Sequence, residues 1–351
     1  MARKDNDTVS DNESASTASS TTPNPLADID LSEFEDDPFG QDDDGAEEDA
    51  ALIQSHFPLT HVVFHQVPKT GRNDAIVQEF AGLEKTPLDL RQVPEIGVFD
   101  RLGEEFPWLA NTIQILERAC VLSRQGNRVL RLPPLLMIGP AGIGKTSLLR
   151  RFCELADMPY LVISAGGASD SLILKGSNRA WSTAQPGAVI RLIQQSKVAN
   201  PIIIIDEVDK CGSGTQNGNL LDTLLQLIEP SSAATWHDEF LLGLADLSAV
   251  NYLMTANRAD HLSGPLLSRV RTVNQGFMRS TDLLRALPQT VAQVAQLYGW
   301  AADQIPEMDP RLAQRIVRAS KDLRKLRQAV ETWLYMIGKE DDSLGGEVVL
   351  H

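Results

Sequence analysis

From residue 134 to about 278 the chain alternates short apolar runs with longer amphipathic stretches. The runs at 134–138, 159–164, 201–206, 250–255 and 270–274 are the predicted strands. Their near-continuous apolar character, clearest in Ile202-Ile203-Ile204-Ile205, is that of parallel strands buried on both faces. Strands alternating with helical stretches predict an α/β parallel sheet with helices on both faces. After Phe277 the pattern turns helical, with predicted helices at about 281–287, 289–299, 310–319 and 322–337, so a small all-helical domain is expected behind the sheet. Ahead of the sheet, Leu109, Ile113, Leu116, Ala119 and Val121 mark an amphipathic helix between Phe106 and Arg124. Within 51–100, Thr60–His65 is β-like and several prolines argue against long helices, so this segment receives no fold.

Composition changes the picture mainly at the N-terminus. Residues 1–50 are rich in Ser, Thr, Asp and Glu and have too little apolar surface to offset the entropy of ordering; they are expected to form a disordered acidic tail. Sixteen acidic residues there face only Arg3 and Lys4, so almost the whole net charge of −15 belongs to the tail. Phe34 and Phe39 interrupt the acids, as in a short recognition segment for a partner; a solubilising tail with incidental aromatics is the alternative. The near-neutral remainder offers no electrostatic footprint for nucleic acid, which is therefore not an expected partner. No apolar run approaches the roughly 20 residues of a membrane span, and the N-terminus lacks a secretory pattern, so a soluble, cytoplasmic protein is expected. Cys120, Cys153 and Cys211 are scattered and expected to be reduced thiols. His56, His61 and His65 have no partner at ligand spacing, and no metal site is expected there.

The chemistry concentrates in two motifs. Gly139-Pro140-Ala141-Gly142-Ile143-Gly144-Lys145-Thr146 matches GxxxxGK[ST] between a predicted strand and a helix, which predicts a nucleoside triphosphate site. Glycines let successive N–H groups converge on phosphate oxygens, Lys145 reaches the β- and γ-phosphates, and Thr146 offers a hydroxyl to magnesium. The candidate cofactor-binding set is Gly139, Pro140, Ala141, Gly142, Ile143, Gly144, Lys145, Thr146 and Ser147, at the positive end of the following helix. The second motif ends the strand of four isoleucines with Asp206 and Glu207. Asp206 suits the magnesium shell with Thr146, and Glu207 suits a base that activates the attacking water.

The order GPAGIGKT, IIIIDEVDK, LMTANRADHLSGPLLSRVR resembles an AAA+ ATPase, most closely the ATPase module of Lon proteases, over about 130–338. That resemblance implies a P-loop NTPase with ATP and Mg2+ as cofactors, organised as a tail (1–50), an uncertain segment (51–100), a nucleotide-binding α/β domain (101–278), a helical lid (279–340) and a C-terminal tail (341–351). It implies that Asn257 orients the lytic water, that Arg269 is a finger inserted into a neighbour's site with Arg271 as fallback, and that Arg324 is the lid's sensor. The stretch Arg179–Gly187 resembles a pore loop, with Trp181 in the aromatic position and Ser182 where the family usually has an aliphatic residue. The expected function is Mg-dependent ATP hydrolysis by a homo-oligomeric ring, read as a hexamer, that remodels or threads a protein partner. The chain ends soon after the lid and carries no recognisable Ser–Lys peptidase, so intrinsic proteolysis is not expected. A nucleic-acid-associated AAA+ regulator or loader, and a nucleotide-gated interaction switch, are the competing expectations.

Overall fold

The computed structural model describes residues 59–67, 74–166, 171–181, 183–211 and 218–344. The acidic tail with Phe34 and Phe39, His56, Ser182 and the last residues of the chain lie outside the described residues.

Along the chain the first elements are β1 (Thr60–Val62), β2 (Phe64–Gln66), α1 (Asp74–Ala81), β3 (Pro87–Asp89), α2 (Gly97–Glu105) and α3 (Ala110–Gln125). The alternating part follows as β4 (Leu135–Ile138), α4 (Lys145–Leu155), β5 (Tyr160–Ser164), α5 (Leu172–Lys175), α6 (Ala188–Ser196) and β6 (Ile202–Asp206). It continues through α7 (Leu220–Ile228), α8 (Pro230–Ala233), β7 (Trp236–His237), β8 (Leu244–Ala245), β9 (Asn251–Ala256), α9 (Gly264–Leu267) and β10 (Arg271–Asn274). Three helices close the chain: α10 (Ser280–Leu297), α11 (Pro310–Ala319) and α12 (Leu323–Leu344), the last running past residue 340.

Five strands form one parallel sheet in the order β10-β4-β9-β6-β5, and they correspond to the five predicted runs. Every residue of β4 and β9 and the four isoleucines of β6 are buried, which is why these strands read as unbroken apolar runs. Their side chains alternate between two cores. Ile202, Ile204, Leu135 and Met137 pack with Leu116 of α3 and Leu148 and Phe152 of α4. Ile203, Ile205, Leu136 and Met254 pack with Ile190 of α6 and Leu224 of α7 on the other face. The parallel sheet with helices on both faces is thus the observed architecture.

The second core also takes in Val63, Phe64, Val77, Phe80 and Leu88, so β2, α1 and β3 pack into the α/β body. β1 pairs with β3, and β2 joins β8 and β7 in a small antiparallel sheet. These strands of two or three residues are too short for a periodic signal, so only Thr60–His65 stood out in the sequence.

The helical end has its own core, built from Leu283, Ala286, Leu287, Val294, Ile316, Val317, Leu326, Val330 and Leu334. Here the structure corrects one expectation. Pro288 does not separate two helices at 281–287 and 289–299; it lies inside the single α10. The stripe of Leu283, Ala286, Leu287, Val294 and Ala295 stays on one face on both sides of Pro288, and its burial outweighs the lost amide hydrogen bond.

Candidate active site

Three neighbouring strands, β4, β9 and β6, end side by side, so the loops after them meet at the carboxyl edge of the sheet. After β4 comes the glycine loop. Gly142 (φ +80°) and Gly144 (φ +89°) adopt left-handed backbone that L side chains rarely take. Gly139 has a different constraint: a Cβ there would stand 2.7 Å from the Gln275 carbonyl oxygen, so close strand packing is what requires glycine. α4 begins directly after Gly144, which has no side chain to cap it, and its first N–H groups are left for an anion.

Lys145 is buried, and its Nζ donates to Gly139 O (2.7 Å), Pro140 O (2.9 Å) and Asn257 Oδ1 (3.0 Å). Burial lowers the lysine below its ordinary pKa, while Asp206, Asp209 and Glu207 pull the other way. Thr146 Oγ1 donates to Asp206 Oδ1 (2.6 Å), which also accepts from Thr255 Oγ1. Thr255 in turn accepts from the Glu207 amide (3.1 Å), tying the ends of β6 and β9 together. Hydroxyl and carboxylate oxygens in contact form the all-oxygen donor set that suits a hard divalent cation such as magnesium.

Glu207 has φ +57°, an uncommon conformation for a residue with a side chain, and opens a short turn, Val208–Lys210. Its Oε1 accepts from Asn257 Nδ2 at 3.4 Å and pairs with Lys210 Nζ at 2.7 Å. Asp209 accepts the amides of Asn257 (3.0 Å) and Arg258 (3.2 Å), fixing the loop after β9.

A cleft of about 160 Å³ is lined by Gly142, Lys145, Thr146, Ser147, Asp206, Glu207, Asn257 and Arg324, among others. The helical end therefore contributes Arg324 to the same space as the sheet-edge residues. Two bonds brace the glycine loop from outside: Leu323 N donates to Gly142 O (3.0 Å), and Trp108 Nε1 to Ile143 O (2.8 Å). An adjoining cavity of about 370 Å³ shares Gly142, Gly144, Ser147 and Arg324 with the cleft. Phe106, Trp108 and Gln293 also line it. These three and Thr255 were missed in the sequence; only Thr255, polar within an apolar strand end, carried a local signal.

A family model for the ATPase family associated with various cellular activities (AAA) matches residues 135–276, the stretch that carries this sheet and its loops. Residues 135–276 are an AAA ATPase domain. Similar curated proteins are Lon proteases. The mitochondrial Lon protease homologue of Caenorhabditis briggsae is 32% identical over 196 residues, which is 55% of this chain and 20% of that protein. The human mitochondrial homologue is 35% identical over 187 residues, 53% of this chain and 19% of that protein. The Lon protease of Mycoplasma mobile is 34% identical over 153 residues, 44% and 18% of the two chains. The chain thus spans about a fifth of the length of these relatives.

Not every residue named from the sequence lines the cleft of the AAA domain. Arg269 is exposed, with Nη1 donating to Pro265 O (3.1 Å) and Nε 3.6 Å from Glu229 Oε2. Arg271, also exposed, opens β10. Trp181 is 49% exposed and lines neither cavity. Its loop is anchored by Arg179, whose buried guanidinium donates to Phe240 O (2.6 Å) and Leu241 O (2.7 Å). Asp238 secures the far end, accepting from the amides of Gly187 (2.8 Å), Phe240 (3.0 Å) and Leu241 (2.8 Å). Among the described residues no group of three or more His, Cys, Asp or Glu is arranged to hold a metal, and His61 pairs with Asp246 at 3.3 Å. Among the same residues no helix is long and apolar enough to cross a membrane.

Asp238 carries a pH prediction. Burial outweighs its three amide donors and pushes the carboxyl up to about 6 from 3.8. The folded state then binds the proton more tightly than the unfolded chain. The contribution is fully present below about pH 4 and is lost as the pH rises through about 6. The stability advantage of the wild type over Asp238→Asn should therefore shrink by about 2 kcal/mol between pH 4 and 7. Denaturant titrations of both proteins at several pH values check this; a pH-independent difference would contradict it.

Proposed function

We propose that this protein is an ATP hydrolase that works as a homo-oligomeric ring, of hexameric size, and remodels or threads a protein partner. The observation that carries this reading is the convergence of Lys145, Thr146, Asp206, Glu207, Asn257 and Arg324 on one cleft, with Arg269 exposed outside it. The Lon similarity of the AAA domain supports a protein as the partner class.

In this mechanism the loop from Gly139 to Thr146 and the first turn of α4 receive the phosphates. Lys145 leaves the Gly139 and Pro140 carbonyls for the β- and γ-phosphates, which compensate its buried charge better than neutral oxygens do. Mg2+, held by the Thr146 hydroxyl and the Asp206 carboxylate, would neutralise charge developing on the phosphate oxygens. Once Lys145 turns to the phosphates, the Asn257 Oδ1 it held is free to accept from and orient the attacking water, while Nδ2 stays on Glu207. Glu207 accepts that water's proton. Arg324 moves with the helical lid and makes closure sensitive to the γ-phosphate. The cavity beside Phe106, Trp108 and Gln293 is the proposed base subsite. Arg269 completes the neighbour's site. Trp181, half-exposed on a loop braced by Arg179 and Asp238, is the proposed contact to the threaded polypeptide. A domain division near residue 278 follows from this reading, with the lid behind it.

The test is specific ATPase activity against protein concentration, with particle size measured in parallel with and without ATP. Specific activity is expected to rise cooperatively as the ring assembles. Activity that is independent of concentration in a protein that stays monomeric would overturn the shared-site reading and favour a nucleotide-gated switch.

A further inference from the structure

Lys210 is not among the residues that line the cleft, yet its Nζ lies 2.7 Å from Oε1 of Glu207. The same oxygen accepts the longer bond from Asn257, so both donors converge on Oε1. Among the described residues no hydrogen bond is made to Oε2. One carboxylate oxygen is thus occupied from two sides, and the other keeps its lone pairs.

The turn reinforces this arrangement. Lys210 N donates to Glu207 O (2.9 Å), closing the short turn that Glu207 opens at φ +57°. Beside the pair is Gly166; a Cβ there would stand 3.5 Å from Lys210 Cβ and 3.6 Å from Glu207 Oε2, so this side is bare backbone. A half-exposed i,i+3 ion pair contributes little to stability. Its geometry matters more than its energy, because it selects one of two otherwise equivalent oxygens. A nucleotide entering the cleft would meet Glu207 and Asn257 but not Lys210, so it would not compete with Glu207 for the ammonium. The ammonium also stays charged: its hydrogen bond to Glu207 raises its pKa, outweighing desolvation and the charge of Arg324.

We infer that Lys210 is a positioning residue for hydrolysis, holding Oε1 of Glu207 from outside the cleft so that Oε2 takes the proton of the attacking water. The inference rests on the ATPase reading above. In the step concerned, the water oxygen forms a bond to the γ-phosphorus while the bond from that phosphorus to the bridging oxygen breaks. The electron pair leaves on ADP, and the water proton passes to Oε2 and then to the phosphate products.

The experiment measures steady-state ATP hydrolysis and, separately, equilibrium binding of a fluorescent ATP analogue, on the full chain as wild type, Lys210→Met and Lys210→Arg. Lys210→Met is expected to lower kcat by about tenfold, since loss of orientation is felt in the chemical step. KM and analogue affinity should stay within about twofold, because Lys210 does not meet the nucleotide. Lys210→Arg, which retains a donor on Oε1, should recover most of the rate. An unchanged or raised kcat in Lys210→Met overturns the inference while leaving the ATPase reading intact, and so does a parallel loss of kcat and affinity, which marks a structural role. A wild type that binds the analogue without turning ATP over overturns both.

Discussion

Glu207→Gln is expected to lower ATP turnover by about 10²–10⁴-fold, the range for a lost general base, while leaving nucleotide affinity nearly unchanged. The reason is geometric. Glu207 makes no hydrogen bond to the glycine loop, and Lys145 and Thr146 keep their partners without it. Glutamine preserves the length and one carbonyl oxygen, so Asn257 and Lys210 retain an acceptor, but an amide cannot take the proton from water. Titration of a fluorescent ATP analogue together with single-turnover hydrolysis separates binding from chemistry. Undiminished turnover in Glu207→Gln would remove the base assignment; loss of binding would mean that the substitution had disturbed the Thr255 and Asp206 framework instead.

Arg269→Ala is expected to have an effect of about 10³-fold or more, the magnitude attached to an arginine that neutralises transition-state charge. Among the described residues the Arg269 side chain meets only a backbone carbonyl and, at 3.6 Å, half-exposed Glu229, contacts worth little. Its removal should therefore leave thermal stability within a few tenths of a kcal/mol. Mixing the two variants gives a sharper test. A ring of Arg269→Ala subunits lacks fingers, and a ring of Glu207→Gln subunits lacks bases. In a mixed ring, an Arg269→Ala subunit beside a Glu207→Gln neighbour has its own base and borrows the neighbour's finger. Turnover should reappear on mixing. Two inactive variants that stay inactive when co-assembled would show that Arg269 does not act across a shared site; normal activity in Arg269→Ala alone would move attention to Arg271.

Legibility in the sequence followed how local each cause was. The five parallel strands could be read because two-sided burial leaves a run of consecutive apolar residues, as in Ile202–Ile205. β1 and β2 showed only as the β-like stretch Thr60–His65, and β3, β7 and β8 could not be read at all, because two or three residues hold no period and their pairing joins segments far apart, as between Phe64 and Ala245. Pro288 was misread because a local rule, that proline ends a helix, met a longer-range one, the continuous apolar stripe of α10. The glycine loop was legible as a motif, but not the separate constraint on Gly139, which comes from Gln275 just past the end of β10.

By itself the sequence determined the AAA architecture of the sheet, the phosphate loop and the pair of carboxylates, since each follows from contiguous residues whose types admit few other uses. Only the tertiary structure decided how these pieces share one cleft. The sheet order sets β9 between β4 and β6, which brings Asn257 and Thr255 against Lys145, Asp206 and Glu207. The docking of Leu323 on Gly142 carries Arg324 in from the helical end, and the turn after Glu207 selects which of its oxygens Lys210 holds. Such juxtapositions depend on strand order and domain docking, which distribute their determinants over the whole chain and leave no pattern in any one segment.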